Sequence, residues 1–322
     1  MMTKTASPGE VWSVRRFPRP LRPDFFIVGA PKCGTSAMTH YLAAHPDIYM
    51  APKEMHAFGM DLCFGDQFYR RDLDAYLAEF GACQGRRRAG EASVWYLFSS
   101  DAAAEIKAFN PASRIIIMLR DPVEMIYSLY YQFRFDGNEP LPGFEDALAA
   151  EKDRRAGRRL GRQTYFAQGL CYRETARYTD QVRRYFDVFG REQVQVILYD
   201  DFHADPGAVY ARTLEFLDVA PSPVDIDFKV INGCKYARNL TLQAVLNEPL
   251  LRSTAIAFRP WLPRPVFAGL RNLEAWVQRS ATRFEKRPPL EPELQARLKR
   301  EFAPEVERLS ELLGLDLTHW SR

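Results

Sequence analysis

The sequence has few cysteines and no disulfide or zinc-binding pattern. Its five cysteines are odd in number, widely spaced and without a Cys-x-x-Cys pair, which argues against a disulfide framework and against a zinc site. The five histidines include no His-Glu-x-x-His motif, so we expect no metal site. We interpret most of the cysteines as reduced, buried thiols: Cys33, Cys63, Cys83, Cys171 and Cys234.

Long apolar runs and an excess of charge are also missing. No stretch approaches the roughly 18 apolar residues of a membrane span, and residues 1–20 lack the apolar core of a signal peptide. We therefore expect a cytoplasmic protein with no membrane span. The formal net charge of +3 gives no bulk electrostatic reason to expect a nucleic-acid partner, although local basic clusters can still bind an anionic ligand.

The composition is that of an ordinary globular protein. Hydrophobic residues make up 47% and charged residues 26% of the 322 residues, and a chain of this length buries roughly 75% of its unfolded surface. Prolines and arginines crowd residues 1–22, which we expect to form an extended arm. Residues 23–322 are expected to form a single domain, and no feature indicates an oligomeric state.

Three apolar segments, each followed by a helical pattern, predict the fold. Continuous apolar runs rich in Phe, Ile and Val are typical of strands buried on both faces of a parallel sheet. The expectation is a three-layer α/β fold in which a central parallel sheet is flanked by helices. The pairs are FFIVG (25–29) with TSAMTHYLAA (35–44), RIIIML (114–119) with VEMIYSLYYQF (123–133), and QVQVILY (193–199) with PGAVYARTLEFL (206–217).

Three further segments have a distinctive composition. Lys and Arg crowd among glycines in residues 151–163, which favours a mobile, solvated loop, with a basic flap over an acidic ligand as the alternative. Residues 253–270 are apolar but interrupted by prolines, which favours a lid or an acceptor-facing segment over a long helix. The C-terminal stretch has helical apolar spacing with a break expected at Pro304, and we expect it to pack on the domain.

The sequence between the first strand and the first helix has the composition of an anion site. The loop after Gly29 contains Lys32 and Gly34, and Thr35 and Ser36 open the helix. Backbone N–H groups at a helix start, the helix dipole, a lysine and two hydroxyls together favour phosphate oxygens. Because Lys32 precedes Gly34, the order differs from the GxxxxGK[ST] loop of nucleoside-triphosphate enzymes. A plain strand-to-helix turn is the alternative.

The segment GAPKCGTSAM (29–38) resembles the 5′-phosphosulfate loop of sulfotransferases whose donor is 3′-phosphoadenosine 5′-phosphosulfate (PAPS). The resemblance implies a P-loop-like fold, transfer without a metal, and adenosine 3′,5′-bisphosphate (PAP) as the product. Lys32 becomes the candidate cation for the oxygen that gains charge during transfer. The resemblance implies donor binding by the loop residues Lys32, Cys33, Gly34, Thr35, Ser36 and Ala37.

A second motif strengthens the resemblance. RIIIMLRDPVEMIYSLYYQF (114–133) is similar to the family's 3′-phosphate strand-turn-helix, and this similarity implies 3′-phosphate binding by Arg120 and Ser128. From the residues alone, Arg120 closes a strand and its guanidinium suits a phosphate. Asp121 and Pro122 are typical of a helix cap and a first helical position. A salt-bridged helix start is the alternative.

A late segment extends the resemblance further along the chain. INGCKYARN (231–239) resembles the family's glycine-containing loop over the nucleotide, which makes Lys235 and Arg238 candidate phosphate contacts. A solvated basic turn is the alternative for this segment. With this segment and ILYDDFHADPGAVYARTLEFLDV (197–219), which resembles the family's strand, acidic turn and following helix, the resemblance covers most of residues 24–318.

The stretch APKEMHAF (51–58) presents candidates for the catalytic base. It resembles the Lys-Glu-x-His-Phe segment of carbohydrate sulfotransferases, whose glutamate is the base, and this implies that role for Glu54. Sulfotransferases of phenols and steroids use a histidine, which makes His56 the second candidate. A carboxylate serves as base toward an alcohol when burial raises its pKa, so we expect a partly desolvated Glu54. A surface pair of Glu54 with Lys53 is the alternative.

One departure from the family pattern concerns the acceptor. In GEASVWYLF (90–98), carbohydrate sulfotransferases carry a lysine after the glutamate, and this chain has Ala92 instead. The resemblance therefore loses one expected active-site cation, which puts a glycan acceptor in question. Glu91 and Ser93 are candidate acceptor-pocket residues.

We therefore predict transfer of a sulfuryl group from PAPS to a hydroxyl on a sugar or a secondary metabolite. The expected partner is a small molecule or a glycan, with no nucleic acid. A Mg²⁺-dependent nucleotide phosphotransferase is one alternative, but it needs metal ligands and a lysine beside the hydroxyl that follows glycine. A non-catalytic nucleotide-binding scaffold of the same fold is the other, and it would bind the donor without transfer.

Overall fold

The computed structural model describes residues 22–64, 72–222, 226–228, 235–237, 282–284 and 287–322. Residues 1–21 of the predicted arm and the 253–270 segment lie outside the described residues. The strands are β1 Phe25–Gly29, β2 Ile48–Met50, β3 Arg88–Ala92, β4 Arg114–Leu119, β5 Val194–Leu198, β6 Lys235–Ala237 and β7 Thr282–Phe284. The helices are α1 Thr35–Ala43, α2 Leu73–Ala78, α3 Ala102–Phe109, α4 Pro122–Asp136, α5 Phe144–Ala149, α6 Glu151–Arg155, α7 Tyr172–Thr175, α8 Tyr178–Phe189, α9 Tyr199–Ala204, α10 Pro206–Phe216 and α11 Pro292–Leu313.

Strands β1 to β5 form one parallel sheet in the order β2-β3-β1-β4-β5. The predicted α/β fold with a central parallel sheet is confirmed, and each predicted strand–helix pair is present. Strand β1 pairs with β3 on one side and with β4 on the other. Open parallel sheets bind ligands at the carboxyl ends of the strands where the strand order reverses. The carboxyl edge of the sheet is therefore where we expect a ligand.

Strands β1 and β4 form the buried centre of the sheet. Every residue of β1 is buried, and residues 115–119 of β4 have no exposed surface. Burial on both faces requires continuous apolar runs, and FFIVG and RIIIML are such runs. Each buried Ile, Leu or Phe side chain contributes roughly 1.5–3 kcal/mol relative to an exposed one. The core therefore holds the ends of these two strands, and the loops that follow them, in place.

The described residues form two compact units. The first contains residues up to Met125, residues 175–228 and residues from Leu298 onward, and it includes the parallel sheet. The second contains residues 126–174 with 235–237, 282–284 and 287–297, and it includes the antiparallel pair of β6 and β7. In the part of the chain that the structure describes, no helix is long and apolar enough to cross a bilayer.

The basic stretch 151–163 is only partly the loop that we expected. Its first residues form helix α6, in which Arg154 is buried. The Arg154 guanidinium pairs with Glu139 at 2.6 Å, and the Tyr172 hydroxyl donates to the same carboxylate at 2.8 Å. The pairing with the buried Glu139 explains why this arginine is not in solvent as expected. From the sequence alone, an arginine that will pair with a distant carboxylate cannot be told from one that stays in solvent. Residues 155–160 are exposed.

The last helix runs through Pro304 without the break that we expected. A proline inside a helix costs about 3 kcal/mol or more. Buried apolar side chains continue on both sides of it, from Leu298 and Phe302 to Val306 and Leu309. Their burial outweighs the cost of the proline, so the apolar spacing decides the structure here.

Candidate active site

The loop between β1 and α1, residues 30–34, is held at the sheet edge by its backbone, and we call it the first loop. The Ala30 N–H donates to the Met118 carbonyl of β4 at 2.7 Å. Gly34 precedes α1 in the left-handed region, with φ 88°, which residues with a side chain avoid. A Cβ on Gly34 would also lie 3.1 Å from the Phe202 ring. Both observations require glycine at this position.

The start of α1 presents backbone donors to this edge. The Ala37 and Met38 N–H groups donate to the Gly34 carbonyl at 3.0 and 3.2 Å. The Ala37 N–H, which was predicted to bind PAPS, therefore already has a hydrogen-bond partner within the helix. The N–H groups of Thr35 and Ser36 precede the first intrahelical bonds, and such groups are the ones that a helix directs at an anion.

Lys53 lies against the hydroxyls of the first helical turn. Its ammonium donates to Ser36 Oγ at 2.8 Å and to Thr35 Oγ1 at 3.2 Å. Burial lowers the pKa of Lys53, and the neighbouring Glu54 raises it. In the sequence, Lys53 stands out only as a neighbour of Glu54. Its position just after β2, at the carboxyl edge of a parallel sheet, is the signal that could have identified it as an anion ligand.

Cys33 is a buried neutral thiol within the first loop. The thiol donates to the Pro31 carbonyl at 3.3 Å. Burial raises the pKa of Cys33 to about 12, and the nearby charges of Arg120 and Lys32 lower it only in part. The positive charges of Lys32, in the loop, and of Arg120, at the end of β4, therefore both act on the Cys33 thiol.

Arg120 follows β4 and is held by a ring and a carboxylate. Its guanidinium carbon lies 4.5 Å from the centroid of the Tyr199 ring, and Nη2 lies 3.2 Å from Glu124. Asp121 accepts the N–H groups of Val123 and Glu124 at 2.8 and 3.3 Å, as a helix cap does. The salt bridge of the alternative interpretation is thus present, and a phosphate at Arg120 would compete with Glu124.

Three further predicted phosphate contacts are Ser128, Lys235 and Arg238. Ser128 is buried on helix α4, in the second compact unit. Lys235 is the first residue of β6, and Arg238 lies outside the described residues. Their roles stay predictions.

The residues that follow β2 include the predicted base, and we call residues 53–58 the acid–base segment. The Glu54 N–H donates to the Ala92 carbonyl at 3.0 Å. One Glu54 oxygen accepts the Val94 N–H at 3.2 Å, and the other lies 3.7 Å from the Lys53 ammonium. Burial raises the pKa of Glu54, while Lys53 and the Val94 N–H lower it. The side chain keeps 33% of its surface exposed.

His56 lies beside Glu54 but deeper. Its Nε2 is 3.5 Å from a Glu54 oxygen, and its side chain is 5% exposed. Burial lowers the pKa of His56 to about 4, so the ring is neutral at pH 7. Among the described residues, Nδ1 has no hydrogen-bond partner. The ring stacks near Phe64, with 4.3 Å between the ring centroids.

Glu91 and Ser93 do not line an acceptor pocket. Both side chains are fully buried, and they hydrogen-bond to each other at 2.7 Å. The prediction that these two residues contact the acceptor is wrong, because neither side chain has any exposed surface that a ligand could contact. In the described part of the chain, no group of three or more His, Cys, Asp or Glu side chains is arranged to hold a metal ion.

Comparison with known proteins identifies a family. The family model described as "Sulfotransferase domain" matches residues 22–236. A solved structure, the sulfotransferase from Alicyclobacillus acidocaldarius, is 33% identical with a TM-score of 0.67, and the match covers 94% of this chain and 99% of that one.

Curated relatives match a shorter part of the chain. Bifunctional heparan sulfate N-deacetylase/N-sulfotransferase 1 of Caenorhabditis briggsae is 22% identical over 209 residues, which is 63% of this chain and 23% of the relative. Carbohydrate sulfotransferase 15 of Mus musculus is 26% identical over 251 residues, covering 62% of this chain and 44% of the relative. The matches therefore span less than half the length of either relative.

Proposed function

The chain belongs to the sulfotransferase domain family, and from that premise we propose that it transfers a sulfuryl group from PAPS to a hydroxyl acceptor. The observation that carries the proposal is the position of Lys53. Its ammonium contacts the hydroxyls of Thr35 and Ser36 and lies 3.7 Å from the Glu54 carboxylate. An anion site and a candidate base are therefore adjacent, as transfer from an anionic donor to a hydroxyl requires.

The donor binds along the carboxyl edge of the sheet in this proposal. The 5′-phosphosulfate accepts hydrogen bonds from the N–H and hydroxyl groups of Thr35 and Ser36, with Lys32 and Lys53 as cations. The 3′-phosphate binds the Arg120 guanidinium, which then gives up its contact with Glu124. Ser128, Lys235 and Arg238 remain further candidates for this phosphate through the family resemblance.

The transfer step exchanges one sulfur–oxygen bond for another. The acceptor oxygen bonds to sulfur while the bond between sulfur and the bridging phosphate oxygen breaks. PAP leaves with the electron pair of that bond, and Glu54 takes the proton of the acceptor hydroxyl. Lys32 stabilises the phosphate oxygen that gains charge.

Glu54 is the proposed base, with His56 as the alternative. A raised pKa strengthens a carboxylate as a base, and burial acts in that direction on Glu54. Its partial exposure supports direct access by an acceptor, whereas the 5% exposure of His56 favours a role as the neighbour of Glu54.

The proposed acceptor is a glycan or a small hydroxylated metabolite. The names of the relatives refer to heparan sulfate and to carbohydrate, which supports a glycan. The buried Ala92, where the carbohydrate enzymes have a lysine, favours a small molecule. A cytoplasmic location, one domain over residues 23–322 and transfer without a metal stay predictions.

The first experiment is a calorimetric titration with PAP, compared with ADP and with ATP plus Mg²⁺. We expect tight, Mg²⁺-independent binding of PAP, and a loss of about 1.5–3 kcal/mol in Arg120→Ala, which is roughly ten- to more than hundredfold in affinity. Arg183→Ala is the control, because Arg183 also has an intrahelical acidic partner, Asp180 at 3.6 Å. Its affinity for PAP should be unchanged.

Two results would contradict the proposal. A preference for ATP with Mg²⁺ would favour the phosphotransferase. Tight PAP binding without sulfuryl transfer to any glycan or phenol tested would favour the non-catalytic scaffold.

A further inference from the structure

A buried carboxylate lies beneath the acid–base segment. Glu91, near the end of β3, is 0% exposed. Its Oε2 accepts the Tyr76 hydroxyl at 2.5 Å, and its Oε1 accepts the hydroxyls of Tyr96 and Ser93 at 2.7 Å each. An ionised carboxylate accepts hydrogen bonds and donates none, and its two oxygens have room for about four. Burial raises the pKa of Glu91, and the three hydroxyls lower it.

The carboxylate determines which way two of these hydroxyls point. A hydroxyl has one proton, so a hydroxyl that donates to Glu91 has only acceptor sites left for its other neighbours. Ser93 Oγ accepts the His56 N–H at 3.1 Å. The Tyr96 hydroxyl accepts the N–H groups of Ala57 and Phe58 at 2.8 and 3.3 Å. Glu91 thus acts on the backbone of residues 56–58 through Ser93 and Tyr96.

The acid–base segment needs such support. Glu54 and His56 both have positive φ, 60° and 48°, and each left-handed residue with a side chain costs roughly 1–2 kcal/mol. Residues 53–58 belong to no helix or strand, so regular backbone pairing does not hold them. The hydrogen bonds to Ser93, Tyr96 and Ala92 keep this conformation in place.

We propose that Glu91 is a positioning residue, which holds Glu54 and His56 in their working geometry through Ser93 and Tyr96 without touching the substrate. This inference rests on the proposed function for its catalytic consequence only. Its structural content, the control of the backbone at residues 56–58, stands without it.

Tyr76 supplies a matched control. Its hydroxyl donates to the same carboxylate, at Oε2. Within residues 53–58, all of which the structure describes, no backbone N–H donates to Tyr76. Tyr76→Phe therefore removes a buried hydrogen bond to Glu91 and leaves both hydroxyls that support the segment.

The test measures hydrogen–deuterium exchange at the amides of residues 56–58 in the full chain without ligand, together with the melting temperature. The variants are Glu91→Gln, Ser93→Ala, Tyr96→Phe and Tyr76→Phe. We expect roughly two- to tenfold faster exchange in the first three, as for the loss of one net hydrogen bond. Glu91→Gln is decisive, because Glu91 accepts none of these N–H groups itself. Tyr76→Phe should lower the melting temperature and leave the exchange unchanged.

The catalytic consequence is measured separately. Release of PAP from PAPS, with and without a hydroxyl acceptor, should fall about 10- to 100-fold in Ser93→Ala and Tyr96→Phe, as for a misplaced catalytic group, while the Kd for PAP stays the same. Unchanged exchange in Glu91→Gln, or equal acceleration in Tyr76→Phe, would overturn the inference. If Glu91→Gln does not fold, Glu91→Asp, whose shorter side chain withdraws the carboxylate from the hydroxyls, is compared with Tyr76→Phe in its place. Altered exchange without PAPS turnover in the wild type would instead contradict only the proposed function.

Discussion

The first loop and the acid–base segment lie at the same edge of the sheet but are held in different ways. The first loop depends on the backbone beside it: a left-handed Gly34 and the beginning of α1. The acid–base segment depends on hydroxyls about forty residues ahead in the chain, with His56 bonded to Ser93 and Ala57 to Tyr96. The first loop is held mainly by backbone groups, including the Met118 carbonyl of β4, and the acid–base segment mainly by buried side chains beneath it.

This difference predicts how each region can be disturbed. A single added methyl group at Gly34 changes the first loop directly. The acid–base segment can be altered without touching any of its own residues, through the carboxylate that orients its supports. Lys53 connects the two regions, because its ammonium contacts Ser36 and also lies 3.7 Å from Glu54.

The largest expected effect comes from the acid–base segment alone. Glu54→Gln keeps the size of the side chain and removes the proton acceptor, so PAPS turnover should fall about 10²- to 10⁴-fold, the usual contribution of a general base. The Kd for PAP, measured by calorimetry, should stay within about twofold if the two regions bind and react separately. His56→Gln is the companion variant. A severe loss in His56→Gln with near-normal turnover in Glu54→Gln would identify the histidine as the base.

An intermediate effect is expected from the first loop alone. Gly34→Ala introduces a Cβ at φ 88° and 3.1 Å from Phe202, and the left-handed conformation alone costs roughly 1–2 kcal/mol. The affinity for PAP should fall about tenfold in a titration. Gly85→Ala is the control, since Gly85 has φ 79° with nothing within 4 Å of an added Cβ. If Gly85→Ala weakens PAP binding equally, general destabilisation rather than the loop is responsible.

The smallest effect should appear where the two regions meet. Burial raises the pKa of Glu54 and Lys53 lowers it. A base must be ionised, so kcat/KM should fall as the pH drops through a pKa above the ordinary value of a glutamate. Lys53→Met removes the lowering charge, so this acid limb should move to higher pH, whereas Lys53→Arg should leave it near its original position. If the acid limb of kcat/KM does not move in Lys53→Met, the charge of Lys53 does not affect the pKa of Glu54, and the two regions are not coupled electrostatically.

Local patterns were sufficient to predict three of the five strands of the parallel sheet, the helices that follow them and the first loop. The apolar runs of β1, β4 and β5 and the sequence around Gly34 carry their information within a few residues, and these elements formed where the sequence analysis expected them. The role of Asp121 as a helix cap was predictable for the same reason, because its partners Val123 and Glu124 are two and three residues away.

Contacts between distant residues were not predictable in the same way. Lys53 reaches Ser36 across 17 residues. Arg154 is buried because it pairs with Glu139, a carboxylate that also accepts the Tyr172 hydroxyl. Glu91 was expected at an acceptor because the segment GEASVWYLF (90–98) resembles a segment of the carbohydrate sulfotransferases. Nothing in the sequence marks the three hydroxyls that bury it instead. The type of a residue indicates what its side chain can do chemically, but only the fold shows which other side chain it contacts.

The parallel pairing of the sheet also has a consequence for the newly made chain. Strand β1 pairs Phe25 with Gly90 of β3 and with Arg114 of β4. At a synthesis rate of about 5–20 residues per second, the FFIVG segment stays without a strand partner for roughly 3–13 s on the ribosome. The hydrogen bond of Ala30 to Met118 likewise cannot form until β4 has been translated. The strand at the centre of the finished core is therefore an apolar segment without its partners early in synthesis, and aggregation or chaperone capture at that stage acts on the chain before β4 holds the first loop.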